Sequence, residues 1–201
     1  MSLDFYLRSS RPVRHRGTGV FIRKDGCTRE LETIEEVKAY FPDADLSEIH
    51  IQDYTDNVLM SFNLTHNLTT MAAHVPIEGT DGKFALPRFD DDPKDKPLSA
   101  YNLLWHPETN PLLKQSKVHV DADECQEEHD VDVTLLDAEF VRQLMSVQHY
   151  IATHEKELRK YDPKNGWGDY SQLNSAATSL LRCILDIPTD DLNQYYIYCW
   201  T

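Results

Sequence analysis

The last third of the chain constrains the fold most. Residues 138–160 space Phe140, Val141, Leu144, Met145, Val147, Ile151 and Leu158 at helical intervals behind Asp137, a good N-cap. Lys156, Arg159 and Lys160 end the stretch with the sign that a helix C-terminus favours. The turn Asp162-Pro163-Lys164-Asn165-Gly166 follows, and a second helix is expected from Asp169 or Ser171 to Leu185. Its inner side carries Leu173, Ala176, Ala177, Leu180, Leu181 and Ile184, and Pro188 stops it. Two long amphipathic helices need an apolar surface to cover, and the remaining residues have to supply it.

The first third supplies alternation. Leu3, Phe5 and Leu7 interleave with polar neighbours, 20–23 lead into Lys24-Asp25-Gly26 as a strand entering a tight turn, and 48–53 and 58–62 are further strands. Thr33 and Glu36 form a capping box for a short helix with Ile34, Val37 and Phe41 inside and Pro42 at its end. A helix is predicted over 63–75 with Leu64, Leu68, Met71 and Ala72 on one face, and another over 98–105. Residues 76–99, with four prolines, two glycines and Asp90-Asp91-Asp92, form a long loop, and 116–133 alternate around Val118, Val120, Val131 and Val133 as an acidic hairpin. Residues 194–200 give a closing aromatic strand. Strands first and helices last predict an α+β fold, an antiparallel sheet with helices packed on one side. At 201 residues one domain is expected, with insertions at about 24–45 and 76–134.

Charge narrows the function classes. The net charge is −14, yet residues 1–29 hold seven Lys or Arg against two Asp, so residues 30–201 carry −19. Such a body repels phosphates, which excludes a general nucleic-acid binder and favours a partner with a basic surface. Asp90, Asp91, Asp92, Asp121, Asp123, Glu124, Glu127 and Glu128 are the candidate partner-binding residues. Cys27, Cys125, Cys183 and Cys199 fit no zinc or disulfide spacing and are expected as free thiols. No secretion signal is read at the start, and no apolar run approaches the roughly 18 residues of a membrane span. A cytoplasmic protein is expected, and the Asn-x-Thr sequons at Asn63 and Asn67 are taken as incidental.

No nucleophile elbow, phosphate loop or dinucleotide fingerprint is present, no cofactor is implied, and no catalytic residue is assigned. His66 and His74 are eight apart, and His149 and His154 five apart, so neither pair suits a helical metal site. Two polar–aromatic segments stand out. Thr65, His66 and Asn67 at a helix start could direct donors and an imidazole at an anion or carbonyl, or simply cap that helix. In Asn165-Gly166-Trp167-Gly168-Asp169-Tyr170 two glycines fix the backbone around an indole, which forms a pocket wall or plugs the core. Trp105 in Trp105-His106-Pro107-Glu108 poses the same choice.

Four segments recur here in one order: Met1-Ser2-Leu3-Asp4-Phe5-Tyr6-Leu7, the stretch from Asn63 to Met71-Ala72, Tyr101-Asn102-Leu103-Leu104-Trp105-His106-Pro107-Glu108, and Asn165-Gly166-Trp167-Gly168-Asp169-Tyr170. Together they resemble a family of small uncharacterised proteins common in bacteriophages and prophages. The resemblance covers about a quarter of the chain and implies no activity. It implies that a site shared by the family involves Thr65, His66, Asn67, Trp105, Trp167 and Tyr170. The stretches near 24–45 and 76–134 depart from the pattern, so a surface peculiar to this chain falls in the acidic additions. The expectation is a phage-type interaction protein that inhibits a host factor, for instance a CRISPR defence complex, bound through a basic protein or protein–nucleic-acid surface. The alternative is a small-molecule or nucleotide binder, or an enzyme, using the Thr-His-Asn and Trp residues.

Overall fold

A computed structural model describes residues 2–24, 26–80, 84–85, 95–120 and 129–200. The acidic candidates Asp90, Asp91, Asp92, Asp121, Asp123, Glu124, Glu127 and Glu128, and Cys125, lie outside the described residues.

Seven strands form one antiparallel sheet: β1 (Ser2–Gly17), β2 (Phe21–Lys24), β3 (Cys27–Glu30), β4 (Gln52–Thr65), β7 (Gln115–Val120), β8 (His129–Leu135) and β9 (Tyr195–Trp200), in the spatial order β2-β3-β4-β1-β9-β8-β7. The short β5 (Phe84–Ala85) and β6 (Asp95–Lys96) pair separately. The helices are α1 (Ile34–Tyr40), α2 (Thr69–Ala73), α3 (Tyr101–Leu104), α4 (Ala138–Thr153), α5 (Glu155–Leu158) and α6 (Tyr170–Leu185). The architecture is α+β, as the order of sequence patterns predicts.

Alternation along β1 decides which face is which. Phe5 and Leu7 join Phe62 and Leu64 of β4 and Ile197 of β9 beneath Phe140, Leu144, Val147 and Ile151 of α4 and Leu173, Ala177 and Leu180 of α6 in the main core. Tyr6 points the other way and stacks on Tyr198 at 6.1 Å, beside Val131, Val133 and Tyr196. The β1–β4 ladder breaks between Arg8 and Val13, where the Arg11 amide turns to Ser9 Oγ at 3.2 Å and Pro12 has no N–H to give. Ile22, Leu31 and Val37 make a small core of their own under β2, β3 and α1. Thr33 Oγ1 accepts the Glu36 amide at 3.2 Å, and Glu36 accepts the Glu32 amide at 2.8 Å, a capping box displaced by one residue from the expected reach to Thr33.

Several expectations need correction. The strand read over 48–53 begins only at Gln52 and is one with that read over 58–62, and Phe41, read as inside the first helix, is exposed. Residues 63–65 are strand, not helix: β4 runs unbroken from 52 through 65, and the chain turns helical only at 66–68 and α2. Phe62 and Leu64 both lie on the buried face, so the two-residue period persists past Asn63 and tertiary pairing with Leu3 and Phe5 overrides the helical reading. The helix over 138–160 ends at Thr153. His154 sits at φ −120° with its Nδ1 at 3.1 Å from the Tyr150 carbonyl and its ring stacked on Tyr150, and Thr153 Oγ1 donates to the His149 carbonyl at 2.8 Å. Side chains competing for the last carbonyls break the ladder there. None of the described helices is long and apolar enough to cross a membrane.

Candidate functional site

The Asn-Gly-Trp-Gly turn begins at Pro163, whose carbonyl accepts the Gly166 amide at 3.1 Å. Asn165 Oδ1 then accepts the Trp167 amide at 3.0 Å, so the turn is closed from both sides. Gly168 has φ +78°, and a Cβ there would run into the Thr65 methyl, Leu68 Cγ and Gln172 Oε1. Only glycine lets the turn lie this close to the end of β4. Asn67 completes the closure: its Nδ2 donates to the Trp167 carbonyl at 3.0 Å, and Gln172 Nε2 donates to the Asn63 carbonyl at 3.2 Å. Asp169 caps α6 by accepting the Gln172 amide at 3.0 Å.

Thr65, Asn67, Trp167 and Tyr170 thus belong to one locality, and much of its polarity is used internally. Thr65 Oγ1 accepts the Asn67 amide at 3.3 Å. Tyr170 is buried, and its hydroxyl donates to the Ile151 carbonyl at 3.0 Å under the Arg159 guanidinium, 4.8 Å above the ring. Burial pushes its phenol up, Glu155 adds to this, and Arg159 opposes it. His66 is partly exposed beside them, and its carbonyl accepts the Thr69 hydroxyl at 2.8 Å. The Trp167 indole is left out of this network at 74 % exposure. At that exposure it is not the core plug that the sequence offers as one choice.

Trp105 lies elsewhere. It caps the C-terminus of α3, is 1 % exposed, and borders a cleft of about 300 Å³ that none of Thr65, His66, Asn67, Trp167 and Tyr170 lines. His106 Nδ1 and Glu108 Oε1 are 2.8 Å apart at its edge. On the strand side Thr134 Oγ1 donates to Gln115 Oε1 at 2.9 Å, and Gln115 Nε2 donates to the Pro107 carbonyl at 3.0 Å. Asp132 and Cys199 complete this side, and burial raises the Cys199 thiol well above its ordinary range. Sequence reasoning missed Glu108, Gln115, Asp132 and Thr134. They meet because the β7–β8 register sets Gln115 opposite Thr134, and no local motif encodes that pairing.

A second cleft, about 450 Å³, opens between β3 and the distal halves of β1 and β4. It gathers Arg14, Arg16 and Arg29 from the basic start of the chain, but Glu30, Glu32 and Asp56 line it as well, so its formal charge balances. Tyr54 donates to Glu30 Oε2 at 2.6 Å; burial first, then Glu30, pushes its phenol up to about 12. Glu30 Oε1 accepts the Gly19 amide at 2.6 Å, which makes this carboxylate a brace for the turn into β2.

Among the described residues no three His, Cys, Asp or Glu side chains are gathered as metal ligands. Cys27, Cys183 and Cys199 are free thiols, and burial, then Asp186, pushes Cys183 up to about 11. No protein-family model, curated protein or solved structure matches this chain.

Proposed function

We propose that this chain is a phage-type interaction protein that binds and inhibits a host factor, with a defence assembly such as a CRISPR complex as the target class. The observation that carries this reading is the Trp167 indole, 74 % exposed on a turn fixed by Asn67, Asn165 and two left-handed glycines. An exposed aromatic on a rigid backbone loses little entropy on binding, and tryptophan is enriched among the residues that dominate interface energetics. The net charge of −14 supports a basic partner, because opposite potentials steer encounter and make it salt-sensitive. The acidic residues at 90–92 and 121–128 are the proposed complement to a channel that otherwise receives nucleic acid.

The small-molecule alternative has weaker support. Its polar groups at Thr65 and Asn67 hold the turn, Tyr170 is buried, and Trp105 borders a different cleft. The deciding experiment is affinity capture from bacterial host lysate at low ionic strength with the wild-type chain and Trp167→Ala. A protein retained by the wild type, weakened by the substitution and inhibited on adding the chain supports the reading. No retained protein, together with thermal stabilisation by a nucleotide or metabolite, overturns it.

A further inference from the structure

Asn165 is the only asparagine in the sequence that precedes a glycine. Both residues are exposed, and the turn holds them in a definite arrangement. Asn165 Oδ1 accepts the Trp167 amide at 3.0 Å, while its Nδ2 makes no hydrogen bond with another described residue. Gly166 has φ +70°, and the place where a Cβ would stand has nothing within 4 Å. The Asn165 side-chain amide is thus polarised at its oxygen, free at its nitrogen and followed by a main-chain nitrogen that no side chain shields. The other asparagines differ. Asn57, Asn63, Asn67 and Asn102 precede Val or Leu, and Asn110 precedes a proline, which has no N–H to lose. Asn63 Nδ2 is tied to Asp4 and Asn67 Nδ2 to the Trp167 carbonyl.

We propose that Asn165 is a site of self-modification, losing its side-chain amide through a cyclic imide formed with Gly166. The Gly166 nitrogen gives its proton to water and attacks Asn165 Cγ, forming an N–Cγ bond. Negative charge gathers on Oδ1, where the Trp167 N–H already points, and a donor fixed in advance on a developing oxyanion stabilises it. The Cγ–Nδ2 bond then breaks, and Nδ2 takes a proton back from water and leaves as ammonia. Water next adds to the imide at either of its two carbonyl carbons. Cleavage of the new N–Cγ bond gives aspartate, and cleavage of the original peptide bond gives isoaspartate. In sum one water is consumed, one ammonia is released and the turn gains one negative charge, with nothing oxidised or reduced. The bond from the Gly166 N–H to the Pro163 carbonyl, 3.1 Å, opposes the attack. It lies on an exposed turn, so its opening is a local event that leaves the Asn67 closure in place. The isoaspartyl product carries one more main-chain carbon in the turn that presents Trp167. The proposal is independent of what Trp167 binds.

The test ages the intact chain in amine-free buffer at physiological temperature and follows each asparagine by peptide mass spectrometry after digestion in acid. Exchange of one NH for one O marks the conversion, and an isoaspartyl methyltransferase labels the iso product. Expected is conversion at Asn165 about tenfold faster than at Asn63, Asn67 or Asn193, because glycine alone leaves the attacking nitrogen uncrowded. Aspartate and isoaspartate should both appear, the mark of the imide. Gly166→Ala, checked for folding by urea unfolding, should slow conversion of Asn165 about tenfold. Asn165→Asp, which has no amide to lose, should show no mass gain in this peptide. The part played by the fold is read by ageing the same chain in guanidinium chloride. The folded chain should convert Asn165 at least as fast as the unfolded one, because only the folded turn holds the Trp167 amide on Oδ1. Faster conversion when unfolded overturns the proposal, since the bond to Pro163 then protects Asn165. Aspartate without isoaspartate, or conversion spread evenly over the asparagines, also overturns it.

Discussion

Trp105 and Trp167 both close short turns beside a helix end, but one is 1 % exposed and the other 74 %. Trp105 follows α3, whose four residues are all buried, so the chain arrives already inside the core and the indole fills it. Trp167 sits between Gly166 at φ +70° and Gly168 at φ +78°, and those two reversals turn its side chain outward while the backbone closes against β4. In the first case the side chain is the structural part and the backbone follows. In the second the backbone is structural and the side chain is free for other use. A tryptophan next to glycines carries its fold information in the glycines.

Urea unfolding of point variants tests this division between the two tryptophans. The largest effect is expected for Trp105→Ala, about 4 kcal/mol lost, from emptying a fully packed aromatic site. Gly168→Ala comes next at about 3 kcal/mol, because the left-handed conformation and the collisions with Thr65 and Leu68 add. Gly166→Ala, with the same backbone hand and nothing within 4 Å of the new methyl, should lose only about 1 kcal/mol. Asn67→Ala should cost about 1 kcal/mol, the ordinary worth of the hydrogen bond to the Trp167 carbonyl. Trp167→Ala should change stability by about 0.5 kcal/mol or less while weakening partner capture. If Trp167→Ala destabilises as much as Trp105→Ala, the division of labour between the two turns is wrong.

How far the sequence speaks depends on whether a feature is local. The cap at Thr33, the cap at Asp137, the α6 apolar face and the aromatic closing strand are all present as read, because each depends on neighbours within a few residues. The 63–65 segment misleads because Asn63 and Thr65 carry cap-like side chains while their neighbours obey the strand period. Only the pairing across to Asp4, where Asn63 Nδ2 donates to Asp4 Oδ1 at 2.7 Å, settles it. The site was half legible. The motif residues Thr65, Asn67, Trp167 and Tyr170 do come together, but the spacing cannot say that their polar atoms face each other. The acids and amide around Trp105 were invisible, since they depend on strand register between residues nearly 20 positions apart, Gln115 and Thr134.

The position of β9 has a consequence for biosynthesis. It lies between β1 and β8, pairing Asp4 with Trp200 and Ser9 with Tyr195 on one side and Thr134 with Ile197 on the other. The two halves of the sheet are therefore joined by the last of the described strands to be synthesised. Until residues 195–200 emerge, β1 keeps an open edge and Phe5 and Leu7 lack one flank of their cover. The nascent chain carries unpaired strand edges for most of its synthesis, the condition under which chaperone engagement and aggregation compete with folding.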